Sequence, residues 1–470
     1  MICLKFAVPR IARRIIIILG LASLGIATGS ALDSSYWVWH RNTAFDSSEL
    51  QSLKQAGVKE IYWQVGTLVP KEADWSWQER FPVDFKALKK AAPFLHIIPV
   101  IRLEPKNGQS PTAENLARLG PILDDVVSDS AADWLQIDYE PPDRLIPQYE
   151  DFLRSIKQKH VSWKVSISAL AHWSKFANEF QGLVDEITPM FYDLNPERES
   201  LTGGLLPPLI DAATAEKEMV SWKSCKLPWK AGLPNFCRVT ILNDKGVSRG
   251  NVRRWNLDEF WFSPALTPDF PTVQEQSVFS VNQSCVLLGT LLQPKERVVV
   301  RYPELGTLIE LRSAAEASGA DGVLFFRLSD RLDMSGYSVA TLSQNKITEP
   351  TLSVHRNASS GIILRNDSTQ DLLPWISENG VRGYALELKS EPGSWREAVA
   401  GDFSLVSTDT EGKKPVIDQI GLEVSTISFW FSSLRAGQTL ETGLVQNLSD
   451  HPLNWRLSIL KQTPAWQPLD

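Results

Sequence analysis

The segment DWLQIDYE at 133–140 sets Gln136, Asp138 and Glu140 at every second position, with Leu135, Ile137 and Tyr139 between them. In a β-strand that alternation sends one set to each face. Two carboxyls on one face have a chemical use. Neighbouring carboxylates in a cleft cannot both ionise freely, so the pKa of one rises and that group holds a proton near neutral pH. Such a group is a general acid. Glu140 has the longer stem and stands just before Pro141 and Pro142 end the strand, which makes it the expected proton donor. Asp138 is expected to tune or assist it. The alternative is an ion-pair layer, in which Arg102 (beside Glu104) or Arg327 neutralises either carboxylate.

The elements that must position these groups form a regular series. Apolar runs bounded by turn residues occur at 36–41, 60–66, 96–104, 134–140, 164–171, 186–193, 229–236 and 322–329. Between most of them, apolar residues at three-and-four spacing predict helices at 46–57, 81–95, 114–129, 145–160, 175–185, 211–224 and 307–319. Asp46 three residues before Glu49 is a helix start signal, and Gly57 a stop. Eight strands alternating with helices predict an α/β fold, a (β/α)8 TIM barrel over 34–342.

Sites in such barrels form at the C-terminal ends of the strands. Tyr192 and Asp193 close the sixth predicted strand and Asn235 the seventh, Gln64 lies on the second, and His40 and His172 follow the first and fifth. Trp75 and Trp77 fall in the loop after the second strand. Trp255 and Trp261 fall in a long insertion, 237–306, expected to wall the cleft. Aromatic faces in a polar cleft suit the apolar faces of sugar rings. After about 345 the alternation stops, and short strands at 360–367, 383–390, 427–433, 440–447 and 454–460 predict a small all-β sandwich over 350–470. Its expected role is packing or attachment.

Residues 1–31 read as a signal peptide: Arg10, Arg13 and Arg14, then IIIILGLASLGIA at 15–27, then GSA at 29–31. The expectation is an exported protein, periplasmic or extracellular, with no stable membrane insertion after cleavage; an uncleaved anchor is the alternative. Three cysteines remain. A Cys237–Cys285 bond is open to them, leaving Cys225 buried and free, because the strand-like segment between Cys225 and Cys237 holds those two apart. A net charge of −7 without a basic stripe argues against a nucleic-acid partner. Six histidines without HxH or HExxH, and no GxSxG, GxGxxG or P-loop, lead us to expect no metal and no cofactor.

The 133–140 segment resembles the strand 4 signature of family 18 glycoside hydrolases, DxxDxDxE, with Gln136 in place of one Asp, and MFYD at 190–193 resembles that class's MxYD. The resemblance implies that Glu140 is the acid. It implies that Asp138 and Tyr192 orient a substrate N-acetyl group that attacks the anomeric carbon, with Asp193 as a sugar-binding or supporting group. The SxGG of that class is replaced by PVIRLE, and its strand 8 Trp is absent from VLFFRLS. Across the barrel, LQIDYE, SISALAHW, MFYDL, GLPNF and FFRLSD resemble a bacterial family of exported barrel proteins of unknown function, number 3142 among such families. The expected partner is a polysaccharide or glycoconjugate. Beside Glu140, Asp138 and Tyr192, the candidate binding residues are Gln136, Asp193, Asn235, Arg102, Arg327, Gln64, Trp75 and Trp77. Two functions fit: glycoside hydrolysis, or non-catalytic carbohydrate binding in cell-envelope assembly.

Overall fold

The computed structural model describes residues 32–469 apart from 72–73, 105–112, 195–205, 253–259, 270–275, 288, 330–335, 375–381, 410–423, 448–452 and 459–465. The 1–31 segment and Trp255 lie outside the described residues. The first strands are β1 (Asp33–Val38), β2 (Glu60–Lys71), β3 (Asp74–Arg80), β4 (His96–Leu103), β5 (Trp134–Asp138), β6 (Lys164–Leu170), β7 (Glu186–Met190) and β8 (Lys230–Pro234). An insertion follows: β9 (Arg238–Leu242), β10 (Ser248–Asn251), β11 (Leu266–Pro268), β12 (Gln276–Val281), the hairpin β13 (Cys285–Leu287) and β14 (Thr290–Leu292), and β15 (Arg297–Arg301). The last barrel strand is β16 (Gly322–Phe326). All neighbours are parallel except β3, and β1 pairs with both β2 and β16, so the eight strands β1, β2, β4 to β8 and β16 close into a barrel.

Helices fill the connections as their patterns require. Before Ser47–Gln55, the Asp46 carboxylate accepts the Glu49 N–H at 2.8 Å while Glu49 accepts the Asp46 N–H, a reciprocal cap. Ile146–Lys159 buries Ile146, Tyr149, Phe152, Leu153 and Ile156 along one face. Two connections differ from expectation. The 114–129 pattern splits into Ala113–Ala117 and Gly120–Ser130, because Pro121 lacks an N–H and fits only a first turn. The 175–185 segment forms 3-10 turns at Ala171–Lys175 and Ala177–Phe180; Gly182, at φ 79°, then turns the chain into β7.

The loop expected to carry Trp75 and Trp77 is instead a hairpin. β2 runs on to Lys71 and β3 returns along it. Trp77 lies so close over Gly66 that a Cβ there would fall 2.5 Å from its ring.

Charge fills the lower barrel. The Lys230 ammonium lies 2.7 Å from a Glu186 oxygen and 2.5 Å from Glu60, and donates to the Tyr62 hydroxyl at 2.8 Å. Tyr62 in turn donates to Glu186 at 2.6 Å, as does Ser166 at 3.1 Å. His96, 3.9 Å away, and then Lys230 hold the Glu60 carboxyl down at about 2, against its burial. An ion-pair layer therefore exists, at the N-terminal end of the strands and not at Asp138 and Glu140. One level up, Trp37 Nε1 donates to Gln136 Oε1 at 2.7 Å and Gln136 Nε2 to Ser166 at 3.1 Å.

The insertion strands β10, β9, β15, β12 and β11 make an antiparallel sheet around Val239, Phe260, Trp261, Phe279 and Val298. Trp261 is thus core. Beyond the barrel, one sheet holds β17 (Leu352–Arg356), β18 (Ile362–Asn366) and β23 (Thr439–Glu441). A second holds β19 (Tyr384–Lys389), β21 (Leu405–Asp409), β22 (Thr426–Phe431), β25 (Asn454–Ser458) and β26 (Gln467–Pro468). Ile362, Leu364 and Leu440 of the first share one apolar cluster with Leu386, Leu388, Phe429 and Phe431 of the second, the packing of a sandwich.

Contacts join these parts. Arg382 donates to the carbonyls of Trp261 (3.1 Å), Ser263 (2.9 Å) and Leu266 (2.6 Å). Asp371 accepts from the Ser338 N–H (2.6 Å), the Ser338 hydroxyl (2.7 Å) and the Ala436 N–H (2.8 Å). Cys225, Cys237 and Cys285 are all free, which corrects the Cys237–Cys285 pairing, and Cys225 is half-buried. Cys285 lies in the β13–β14 hairpin opposite Leu292, and both it and Cys237 pack as apolar groups on the insertion's core. Among the described residues no helix is long and apolar enough to cross a membrane.

The Lys230→Met protein leaves Glu186 without its cation and Glu60 with His96 alone. It should lose about 3–5 kcal/mol of stability, read from the urea midpoint at constant m-value.

Candidate active site

A cavity of about 1140 Å3 opens over the C-terminal ends of the barrel strands. Asp138, the last residue of β5, points up into it from the barrel and accepts a 2.6 Å hydrogen bond from the Ser168 hydroxyl of β6. Burial pushes the Asp138 carboxyl above its usual range; the Arg102 guanidinium and the Ser168 bond oppose that rise. Glu140 follows two residues on. Water reaches it through the cavity, and it makes no hydrogen bond with the described residues, yet the surrounding walls desolvate its carboxyl. That desolvation, and then the charge of Asp138, push Glu140 up to about 7, with Arg102 opposing. Arg102 also lies beside Glu104, its Nε 3.8 Å from that carboxylate. The two carboxyls thus share ionisation as a pair, and one proton stays on it near neutral pH.

An aromatic cluster surrounds the pair. Phe326, from the strand that lacks the expected Trp, is its centre: Trp37, Trp39 and Phe236 meet it edge-on at 5.9, 5.3 and 5.7 Å, and Tyr192 stacks on it at 6.1 Å. Burial, and then the charges of Glu140 and Asp138, push the Tyr192 phenol well above its usual range, so it stays protonated as a donor. Asp193, at φ 53°, is held by two hydrogen bonds from Arg238 of β9, at 2.7 and 2.6 Å. That pair ties the insertion to the β7 end and makes the insertion one wall of the cavity, with Val252 beside it.

Glu140, Asp138, Tyr192, Asp193, Arg102 and Arg327 therefore meet in one cavity, as do His40 and His172. The remaining candidates do not line it. Gln136 is committed inside the barrel to Trp37 and Ser166. Gln64 accepts the His40 N–H at 3.0 Å and donates to Thr67. Asn235 spends its amide on backbone: Nδ2 donates to the carbonyls of Arg327 and Tyr337, and Oδ1 accepts the Tyr337 N–H. Trp75 is buried in the hairpin, and Trp77 lies on Gly66 under Arg80. Buried amides need partners, and these found them away from the opening.

Several lining residues lay outside the sequence reading. Trp37 and Trp39 had a signal, since they alternate in YWVWHR on the face that turns inward. Glu79 and Phe81, at and just beyond the end of β3, depend on the unexpected hairpin; Glu218 comes from the helix Ala212–Ser221 and had no signal. Among the described residues no cluster of side chains is arranged to hold a metal.

The sandwich reaches this site through hydrogen bonds. Asp371 fixes Ser338; Tyr337, next in the chain, fixes Asn235; and Asn235 holds the backbone of Arg327. Arg435 adds a bond to the Gly336 carbonyl at 3.0 Å. The Asp371→Ala change leaves the half-buried N–H groups of Ser338 and Ala436 without their acceptor. It should lower stability by about 1–3 kcal/mol, measured by thermal denaturation.

No family model matches this sequence, and no curated protein matches it. Among solved structures, it is similar to a chitinase from Chromobacterium violaceum ATCC 12472 at 10% identity and TM-score 0.45, over 68% of this chain and 100% of that one. It is similar to a family 18 N-acetylglucosaminidase from Paenibacillus barengoltzii at 14% identity and TM-score 0.44, over 67% and 100%. A class V chitinase from Pseudomonas fluorescens Pf-5 aligns at 13% identity and TM-score 0.46, over 67% and 99%.

Proposed function

We propose that this chain is an exported glycoside hydrolase-like protein that cleaves a polysaccharide or glycoconjugate by acid catalysis from Glu140. One observation carries the reading: a carboxyl raised to about 7, beside a second carboxyl, at the floor of an open aromatic-lined cavity. A protonated Glu140 donates to the glycosidic oxygen as the bond from that oxygen to the anomeric carbon breaks, and the leaving sugar departs as an alcohol. The charge that develops on the remaining ring needs a nucleophile held beneath it. In the reading that the strand 4 resemblance implies, the substrate's own acetamido oxygen supplies it, an exception to the two-carboxylate scheme. Asp138 accepts the acetamido N–H, its other oxygen already fixed by Ser168, and Tyr192 donates to the acetamido oxygen. Water then attacks the anomeric carbon, displacing the acetamido oxygen, and gives up a proton to the Glu140 carboxylate, which restores the acid.

The test is hydrolysis of N-acetylhexosamine and plain glycans by the wild type and by Glu140→Gln. The variant should lose about 10²–10⁴-fold in kcat/KM. Since the acid must be protonated, wild-type kcat/KM should fall as the pH rises through about 7. Unchanged activity in the variant sinks the assignment. Export is the second part of the proposal, supported by the composition of 1–31. Mass determination of the protein recovered from the producing cell should place its first residue near Leu32; an intact 1–31 would overturn cleavage.

A further inference from the structure

We propose that Arg102 is a positioning residue of the carboxyl pair: an unclosed cation, one strand over, that keeps one carboxyl ionised while the other carries the proton. This rests on the reading of Glu140 as the acid.

Strand register puts the charge there. Along β4, Ile98, Val100 and Arg102 alternate onto the inner face, and the first two pack in the barrel's apolar cluster. Arg102 comes last on that face, opposite Asp138 of β5 on one side and Thr67 of β2 on the other. Its side chain is 40% exposed and lines the cavity with both carboxyls. The guanidinium makes no hydrogen bond with the described residues, and its 3.8 Å approach to Glu104 is too long for one. Lys230, the ammonium lower in the barrel, is by contrast closed on Glu186 at 2.7 Å.

That difference decides what each cation does. A guanidinium bonded to Glu140 would fix it as a carboxylate and remove the acid. Without any cation, two desolvated carboxyls would repel each other. Asp138 would then keep its own proton and lose the charge with which it holds an acetamido N–H. An unclosed charge lies between these limits. It opposes the rise that burial causes in Asp138, Glu140 and the Tyr192 phenol alike.

The neighbouring charged groups do not replace it. Asp193 is closed by Arg238, His172 turns to Asp143 at 2.9 Å, and His40 lies 3.9 Å from Glu79. Glu104 adds repulsion. Arg327, Glu79 and Glu218 also line the cavity, and each acts on the pair less strongly than Arg102 does.

The experiment titrates the Glu140 carboxyl itself, by carbon-13 NMR of the full chain labelled at the glutamate δ-carbons. The Glu140→Gln spectrum identifies its signal. Arg102→Met should raise the wild-type midpoint by about one pH unit, and Arg102→Lys, which keeps the charge, should leave it in place. The kcat/KM profile on glycans should follow, with both limbs of the Arg102→Met curve moved to higher pH and KM at the optimum unchanged. A structural defect would instead lower activity at every pH. An unmoved midpoint in Arg102→Met overturns the proposal. So does an Arg102→Lys midpoint displaced as far as that of Arg102→Met, or a raised KM with unmoved limbs, which makes Arg102 a substrate contact. Wild-type turnover separates the two readings. A moved midpoint without hydrolysis leaves Arg102 in its role and removes acid catalysis; hydrolysis with unmoved limbs does the reverse.

Discussion

The barrel is organised around one ammonium group. Lys230 projects from β8 into the lower barrel, where Glu60 and Glu186 both reach it and Tyr62 bridges between them. Charges buried this way are tolerated only when each has its partner. The network therefore constrains β2, β7 and β8 to a single register, since a one-residue slip would turn a carboxylate into the helix ring. It also takes up the barrel's need for ion pairing at one end, so the other end can keep Asp138 and Glu140 without a locked cation. The separation of the two layers along the strands is what lets the upper carboxyls hold a proton.

Much of this was legible in the sequence. The eight strands announced themselves through period-two apolar runs, and Asp138, Glu140, Tyr192 and Asp193 were found because strand ends are where a barrel opens. Height within the barrel was harder to read. Gln136, Gln64 and Asn235 alternate inward just as Asp138 does, yet they sit where an amide must satisfy buried neighbours, and none of them lines the cavity. An inward polar residue looks the same in sequence at either level.

Contacts between distant segments account for the other gaps. The β2–β3 hairpin requires Trp77 to lie on Gly66, a contact between a long strand and its return that apolar runs do not reveal. Glu79 and Phe81 follow from it. Glu218 reaches the cavity from a helix whose pattern gave only its apolar side. The expectation for the cysteines failed differently: the export expected from 1–31 would permit disulfides, but the three cysteines are free and Cys285, in the β13–β14 hairpin, packs on the insertion's core.

The Arg382 contact has a consequence for how such a molecule can vary. One guanidinium grips the insertion through three backbone carbonyls, at Trp261, Ser263 and Leu266, and touches no side-chain acceptor there among the described residues. A carbonyl is the same whatever residue carries it. The insertion can therefore exchange side chains, including those that face the opening, while its seat on the sandwich is kept. The architecture separates what anchors the wall from what the wall presents, and it leaves the presenting surface open to drift toward new ligands.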